Sequence, residues 1–319
     1  MSVTKLADGY NQISDATDYH EQFVIGRKLY AFSLQYHDMP THHYGHRIVY
    51  KGGYVAVFDL TTGEVEKIEY PAVSTEENLD EILFVHNEKI YLLLHTSFGT
   101  VDIQRIFVWE NNVFNEIPFE APQSETVDPV SRVWFKYANG VTSNGEIVLF
   151  GNIDRTIHVY VLKLSEKDAS AKLVTSITGD INFLGGTATS GFVSGEHVLV
   201  GYAVHGCNYR WERSSFFTVD LANKEVGHIS VEGDAPNFCY SGARQTTVLS
   251  DGRWAHVTGV VQVGMCGSKY NGTVWALDSA FEGPKWEQIN VELPEGSFID
   301  GDKIYLIDKE QLAVGEFHL

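Results

Sequence analysis

Residues 86–95, HNEKIYLLLH, consist of a short polar turn followed by an apolar run of strand-forming residues. The same phrase occurs five more times, as IGRKLYAFSL (25–34), SNGEIVLFGN (143–152), SGEHVLVGYA (194–203), SDGRWAHVTG (250–259) and DGDKIYLIDK (300–309). The residues just before each strand are Lys28, Lys89, Glu146, His197, Arg253 and Lys303. Their spacing of about fifty residues is the size of one four-stranded blade of a β-propeller.

Each phrase is typical of the second half of a β-hairpin. An apolar run such as EILFV (81–85) precedes it, and the turn between the two runs contains Asn, Gly or Asp. These residues accept the positive φ that a tight hairpin turn requires. A second strand–turn–strand phrase follows most copies, as in YVAVFDLTTGEVEKIEY (54–70), so each unit has four strands.

The two chain ends complete the arrangement. The last unit, 296–319, has only three strands, and the stretch SVTKLA (2–7) can supply a fourth. We therefore predict a single all-β domain spanning 1–319, a six-bladed β-propeller of four-stranded antiparallel blades closed by the N-terminal strand. The blade cores are expected at 20–70, 80–119, 134–175, 186–231, 243–291 and 296–319 with 2–7.

Two sets of carboxylates have competing interpretations. Asp59, Asp220 and Asp278 each follow a β run at the same point of the repeat. They could be catalytic, but recurrence at one structural position favours an Asx-type turn. The pair Asp80-Glu81 lies in a polar connection and is interpreted as solvated loop charge, so no glycosidase is predicted.

Composition limits the classes of partner. The formal net charge of -19 argues against binding to nucleic acid or to an anionic membrane. Three cysteines do not form a disulfide framework. The first residues contain no signal-peptide pattern, and no apolar run reaches the ~18 residues of a membrane span. These features predict a cytoplasmic protein; they set no oligomeric state.

The repeat resembles that of kelch-type β-propellers. Gly151 and Gly201 stand where that family has glycines after the second strand, and Trp286 stands for its fourth-strand tryptophan. Arg244, with Arg132 as a second instance, corresponds to its arginine at the start of the first strand. The resemblance implies a ring of kelch-like blades.

Three long connections between second and third strands are expected to lie on one face of the ring, at 36–50, 203–215 and 260–272. Rigid scaffolds commonly carry binding surfaces on such loops. We predict a non-catalytic module that recognises a protein or peptide there. Its candidate residues are Tyr44, Tyr209, Trp211 and Tyr270 for contact area, and Arg210 and Arg244 for carboxylates or carbonyls.

The alternative is a metal-dependent enzyme or small-ligand binder on the same face. His42, His46, Cys207 and Cys266 are its candidate ligands for zinc or copper, and His37 and His43 lie in the same histidine-rich stretch as the first two. The ligand spacing matches no known metal motif. The expectation is therefore no cofactor.

Overall fold

The computed structural model describes residues 3–8, 21–40, 46–74, 79–96, 100–123, 125–126, 133–153, 156–178, 187–203, 214–229, 246–263, 267–277, 286–293, 297–307 and 311–316. The strands of the first half are β1 (Val3–Asp8), β2 (Glu21–Ile25), β3 (Lys28–Pro40), β4 (His46–Asp59), β5 (Val65–Pro71), β6 (Leu79–His86), β7 (Lys89–Thr96), β8 (Thr100–Val101), β9 (Ile103–Glu110), β10 (Val113–Ile117), β11 (Phe119–Glu120), β12 (Glu125–Thr126), β13 (Val133–Tyr137) and β14 (Ile147–Ile153). Those of the second half are β15 (Thr156–Leu164), β16 (Ala169–Thr178), β17 (Thr187–Ser194), β18 (His197–Ala203), β19 (Ser214–Asp220), β20 (Glu225–Ile229), β21 (Thr246–Val248), β22 (Trp254–Val263), β23 (Gly267–Leu277), β24 (Trp286–Leu293), β25 (Ser297–Asp300), β26 (Lys303–Ile307) and β27 (Gln311–Glu316).

These strands build an all-β propeller of antiparallel blades. Five sheets of the described chain have four strands each, in the orders β2-β3-β4-β5, β6-β7-β9-β10, β17-β18-β19-β20, β21-β22-β23-β24 and β25-β26-β27-β1. A further sheet has five strands, in the order β13-β14-β15-β16-β11, and β8 pairs with β12 in a separate ribbon. No helix within the described ranges is long and apolar enough to cross a membrane.

The expectation of six uniform four-stranded blades is wrong for one unit. Five sheets match it, whereas the sheet that begins at Val133 has β11 as a fifth strand. This strand is parallel to β16, with Phe119 opposite Ala169 and Glu120 opposite Ser170. A parallel pair of two residues leaves no period in the sequence, so the repeat could not predict it.

The repeated hairpins are confirmed, and the turn residues explain why they form. Asn87 and Glu88 have φ values of 48° and 58°, and they connect β6 to β7 where His86 pairs with Lys89. Gly26, Gly195 and Gly301 occupy the equivalent turns with φ of 60°, 60° and 54°. Positive φ at these positions matches the twist that a two-residue hairpin requires.

The N-terminal strand closes the last sheet, as the sequence predicted. β1 pairs antiparallel with β27, with Val3 opposite Gly315 and Asp8 opposite Gln311. β27 therefore has a partner on both sides, β26 and β1. The pairing gives the last sheet its fourth strand and covers the edge of β27, so that β1 becomes the terminal strand of that sheet.

Neighbouring sheets pack through aromatic side chains. Phe32 of β3 meets Trp109 of β9 edge-on at 5.7 Å between ring centroids. Phe192 of β17 stacks on Trp254 of β22 at 4.9 Å, with an interplanar angle of 8°. Between the last two sheets, the backbone N–H of Gly301 donates to Thr247 Oγ1 at 2.8 Å. The aromatic rings at these contacts bury large apolar areas and so hold neighbouring sheets in a fixed arrangement.

The repeated aspartates are turn residues where the structure describes them. Asp59 Oδ1 accepts hydrogen bonds from the backbone of Thr61 and Thr62 at 2.8 and 3.0 Å. Asp220 Oδ1 accepts the same pair from Ala222 and Asn223 at 2.9 and 3.0 Å. These bonds lower the pKa of both carboxyl groups. The Asx-turn interpretation is therefore confirmed for these two, while Asp278 lies outside the described residues.

Candidate functional site

Two of the three expected loops are largely hairpin. Tyr36 pairs with Tyr50, and Pro40 pairs with His46, so β3 and β4 continue through most of the stretch interpreted as a connection. In the same way, Val263 pairs with Gly267 at the end of β22 and β23. The expectation of long loops at 36–50 and 260–272 is therefore wrong, because the antiparallel ladder resumes beyond a register shift in each case.

Most of the predicted site residues lie outside the described part of the chain. These are Tyr44, Tyr209, Arg210, Trp211, Arg244, His42, Cys207 and Cys266. Tyr270 and His46 have described backbones only, in β23 and β4. Among the residues that the structure describes, no group of three or more His, Cys, Asp or Glu side chains could hold a metal ion. The proposed grouping of these residues stays a prediction.

The structure draws attention instead to one end of the first strands of the sheets. In a propeller the first strand of each blade lies nearest the central axis. The hairpins between first and second strands leave at one end, and Glu21, Asp80 and Glu81 lie at the opposite end, together with the end of β7 at His95. We call this opposite end the crossover end.

Two glutamates occupy corresponding regions of neighbouring first strands at the crossover end. Glu21 begins β2, and Glu81 is the third residue of β6. One carboxylate oxygen of each is shielded from solvent. Phe23 of β2 shares a hydrophobic cluster with Leu79 and Leu83 of β6, which places the two strands in adjoining sheets.

Asp80 and Glu81 are thus strand residues, and their interpretation as solvated loop charge is wrong. Both are half-buried. The backbone N–H of Glu81 donates to Asp80 Oδ1 at 3.1 Å, which fixes the direction of the Asp80 carboxylate. The sequence hid this because the first strand is covered on both faces, so it reads as a continuous apolar run whose charged end resembles a loop.

His95 lies directly opposite Asp80 in the β6–β7 ladder and is 2% exposed. Its Nδ1 lies 2.8 Å from the carbonyl oxygen of Thr96. A carbonyl oxygen only accepts, so Nδ1 carries the proton in this contact. The ring also packs on Phe135 of the next sheet, with centroids 4.7 Å apart.

The charge state of His95 follows from its surroundings. Burial lowers its pKa, and the nearby Lys136 ammonium acts in the same direction. The Asp80 carboxylate and the bond to Thr96 oppose that change. The net lowering keeps the imidazole neutral near pH 7.

Other buried polar groups belong to the frame of the sheets. His158 of β15 is 3% exposed and lies opposite Ser176, whose Oγ is 3.0 Å from His158 Nδ1. His256 of β22 is fully buried, and this burial lowers its pKa to about 3. Neither was singled out from the sequence, because a histidine inside an apolar run has no pattern that distinguishes it from a packed core residue.

His256 should make folding sensitive to acid. Its pKa is about 3 in the folded state and 6.5 in its ordinary environment. Between these values the unfolded chain binds the proton and the folded chain does not, so stability is lost as pH falls from 6.5 towards 3. Urea unfolding at pH 7, 6, 5 and 4 should therefore give a smaller pH dependence for His256→Gln than for the wild type. If the free energy of unfolding changed with pH equally in the two proteins, the buried neutral state assigned to His256 would be wrong.

The comparisons with known proteins support the fold. The structure is similar to exo-β-1,3-galactanase from Phanerochaete chrysosporium in complex with β-1,3-galactotriose, with a TM-score of 0.50 and 11% identity over 93% of this chain and 71% of that chain. A second structure of that enzyme has a TM-score of 0.51 and 10% identity over 97% of this chain and 69% of that chain. The structure of YjhT has a TM-score of 0.49 and 10% identity over 83% of this chain and 82% of that chain. No family model and no curated sequence matches the chain.

These findings correct three expectations. The resemblance to the kelch family is wrong: no family model supports it, and the two structures named above with TM-scores of 0.50 and 0.51 are of a galactanase. The hypothesis of a non-catalytic recognition module is contradicted by the same neighbours, which are named as enzymes that act on a saccharide. The expected protein or peptide partner is contradicted with it.

Proposed function

We propose that this protein is a glycoside hydrolase that acts on a saccharide at the crossover end of its first strands. The observation that carries the proposal is the pair Glu21 and Glu81, two carboxylates on adjoining first strands, each with one oxygen shielded from solvent. Each of the two residues also interacts with another group of the protein. Pre-positioned, partly desolvated carboxylates are the groups that glycoside hydrolysis requires.

The reaction assigns one task to each carboxyl group. One, in its acid form, protonates the glycosidic oxygen as the bond to the leaving sugar breaks. The other, as a carboxylate, either attacks the sugar carbon or takes a proton from the attacking water. Asp80 precedes Glu81 in β6, and successive side chains of a strand point to opposite faces, so its carboxylate lies on the other side of β6 and takes no part in this step.

His95 acts in this proposal as a positioning residue. Its Nδ1–H is held by Thr96, and its ring is clamped against Phe135, so the strand segment opposite Asp80 has little freedom. The β6–β7 ladder, in which Glu81 pairs with Leu94, is held in place with it.

A saccharide also agrees with the overall charge. A net charge of -19 repels phosphate-rich and other anionic ligands, but it exerts no such repulsion on a neutral sugar. The likeness in fold to a galactanase supports the same class of substrate. Two-carboxylate hydrolysis needs no cofactor, so the proposal keeps the expectation of a protein that works without one.

The blade count and domain count are part of the proposal. We propose that the five four-stranded sheets and the five-stranded sheet are six blades of one domain, since each begins with a hairpin of the same repeat. In this count β11 is an addition to the third blade. The cytoplasmic location predicted from the sequence remains a prediction.

The test is a hydrolysis assay on the full chain. The protein is incubated with aryl β-galactoside, β-xyloside and α-arabinofuranoside, and with β-1,3-galactan, xylan and arabinan. We expect release of the aryl group or of reducing sugar from at least one substrate, and loss of that release in the Glu21→Gln and Glu81→Gln variants. A folded wild-type protein with no activity on any of the six would contradict the proposal.

A further inference from the structure

A second surface feature lies on the outer edge of the third sheet, away from the crossover end. Where β11 leaves β16, a cavity of about 700 Å³ opens between the two strands. We call it the β11–β16 groove; it is lined by Glu120, Ala121, Pro122, Gln123, Ser170, Ala171, Lys172 and Leu173. This volume is within the range of about 300–1,000 Å³ that small-ligand sites occupy.

The groove exists because proline stops the parallel ladder. The backbone N–H of Ala169 donates to the carbonyl of Pro118 at 2.9 Å, so Ala169 directs its backbone groups away from β15 and towards β11. In this register the carbonyl oxygen of Ala171 would be the next to accept a hydrogen bond, from the backbone N–H of residue 122. That residue is Pro122, which has no N–H, and the pairing ends at Glu120.

The same alternation directs further backbone groups into the groove. Strand residues two apart direct their backbone groups to the same side, so Leu173 follows Ala169 and Ala171 in facing away from β15. The carbonyl of Ala171 and both polar backbone groups of Leu173 therefore line the open side of β16. An N–H and carbonyls in one row offer both a donor and acceptors.

The side chains around this row are mixed in character. Glu120, Gln123 and Lys172 are exposed and supply an acceptor, an amide and a donor. Leu173 is exposed to 38%, and Pro122 beside it is half-buried. The groove thus combines a small apolar floor with hydrogen-bonding groups of both kinds and a nearly balanced local charge.

We infer that the β11–β16 groove binds a segment of a neutral oligosaccharide, separately from the crossover end. Each sugar hydroxyl both donates and accepts, so a sugar matches the backbone row of β16 and the Gln123 amide together. The C–H face of the ring can cover Leu173 and Pro122. This inference rests on the proposed function for its substrate class, and on the groove itself for its location.

The test uses Glu81→Gln protein, so that bound polysaccharide is not degraded, and native gels that contain soluble β-1,3-galactan, xylan or arabinan. We expect retardation in at least one gel. Ala121→Trp, which fills the groove with an indole, should weaken the apparent affinity at least tenfold. Leu173→Pro, which removes the N–H at an edge position where proline is tolerated, should act in the same direction.

The controls separate this inference from the proposed function. Lys167→Ala, in the exposed turn between β15 and β16, should leave retardation unchanged. In a chain that keeps Glu81, Ala121→Trp should hydrolyse a small aryl glycoside at the wild-type rate. Retardation that depends on Ala121 in a protein with no hydrolytic activity would support the groove and refute the enzyme.

Three results would overturn the inference. The first is equal retardation of Glu81→Gln proteins with and without Ala121→Trp when both have the same melting temperature. The second is no retardation of the folded protein in any of the three gels. The third is binding of an extended peptide, and of no polysaccharide, along the edge of β16.

Discussion

The Glu81→Gln variant should lose about 10²–10⁴-fold in kcat on whichever glycoside the wild type cleaves, the range that a positioned acid or base contributes. Gln has nearly the same shape as Glu but neither gains nor releases the proton that the reaction transfers. The β6 backbone and its hydrogen bond from residue 81 to Asp80 do not depend on the carboxylate. Initial rates with an aryl glycoside, measured with Tm on the same preparation, give the effect.

A matched control is Glu166→Gln, which makes the same chemical change in the exposed turn between β15 and β16. It should keep the wild-type rate. Adding azide to Glu81→Ala distinguishes the two tasks by the product: a glycosyl azide of inverted configuration shows that the lost group was the attacking carboxylate or the base, whereas a glycosyl azide of retained configuration, or no restored rate, shows that it was the acid. If Glu81→Gln cleaved its substrate as fast as Glu166→Gln, the assignment of Glu81 would be wrong.

The fold was predictable from the sequence because the hairpin turn is a local signal. The turn at Asn87-Glu88 and its equivalents recur at the blade period, and their conformations depend on residues within the turn itself. The pairing of β1 with β27 was predictable for a different reason: a three-stranded last unit needs a partner for its edge. In contrast, β11 is fixed by tertiary contact with β16 and by Pro122, and no repeat encodes it.

The candidate site was much less predictable. The sequence places Asp80 and Glu81 in a loop because a charged pair ahead of an apolar run is more typical of a loop than of a strand. Their location at the crossover end depends on where β6 begins, and strand ends are set by pairing with β7 rather than by residue type. The histidine-rich stretch drew attention by composition, yet the structure extends β3 and β4 through most of it. A high local density of histidine was therefore a poorer indicator of the candidate site than the position of a carboxylate on a first strand.

Removing residues 1–8 should lower the free energy of unfolding by about 3–5 kcal/mol. The estimate takes about one ladder hydrogen bond for each of the five residue pairs of β1 with β27, at a net contribution of about 1 kcal/mol each, and the register shift between Lys5 and Ala7 removes some of these bonds. The deletion also exposes the edge of β27 along its length, so the truncated protein should associate at high concentration. Urea unfolding and light scattering measure the two effects.

The decisive control is restoration in trans. A synthetic peptide of residues 2–9 should raise the Tm of the truncated protein, because it can pair with β27 as β1 does, and a scrambled peptide of the same composition should not. Both the register Val3 to Gly315 and the shift between Lys5 and Ala7 come from the native order of residues, which the scrambled peptide lacks. A truncated protein that unfolds at the same urea concentration as the intact chain would show that β1 adds nothing to the last sheet. The frame that holds the first strands, and with them Glu21 and Glu81, would then have to be stabilised by the contacts between sheets alone.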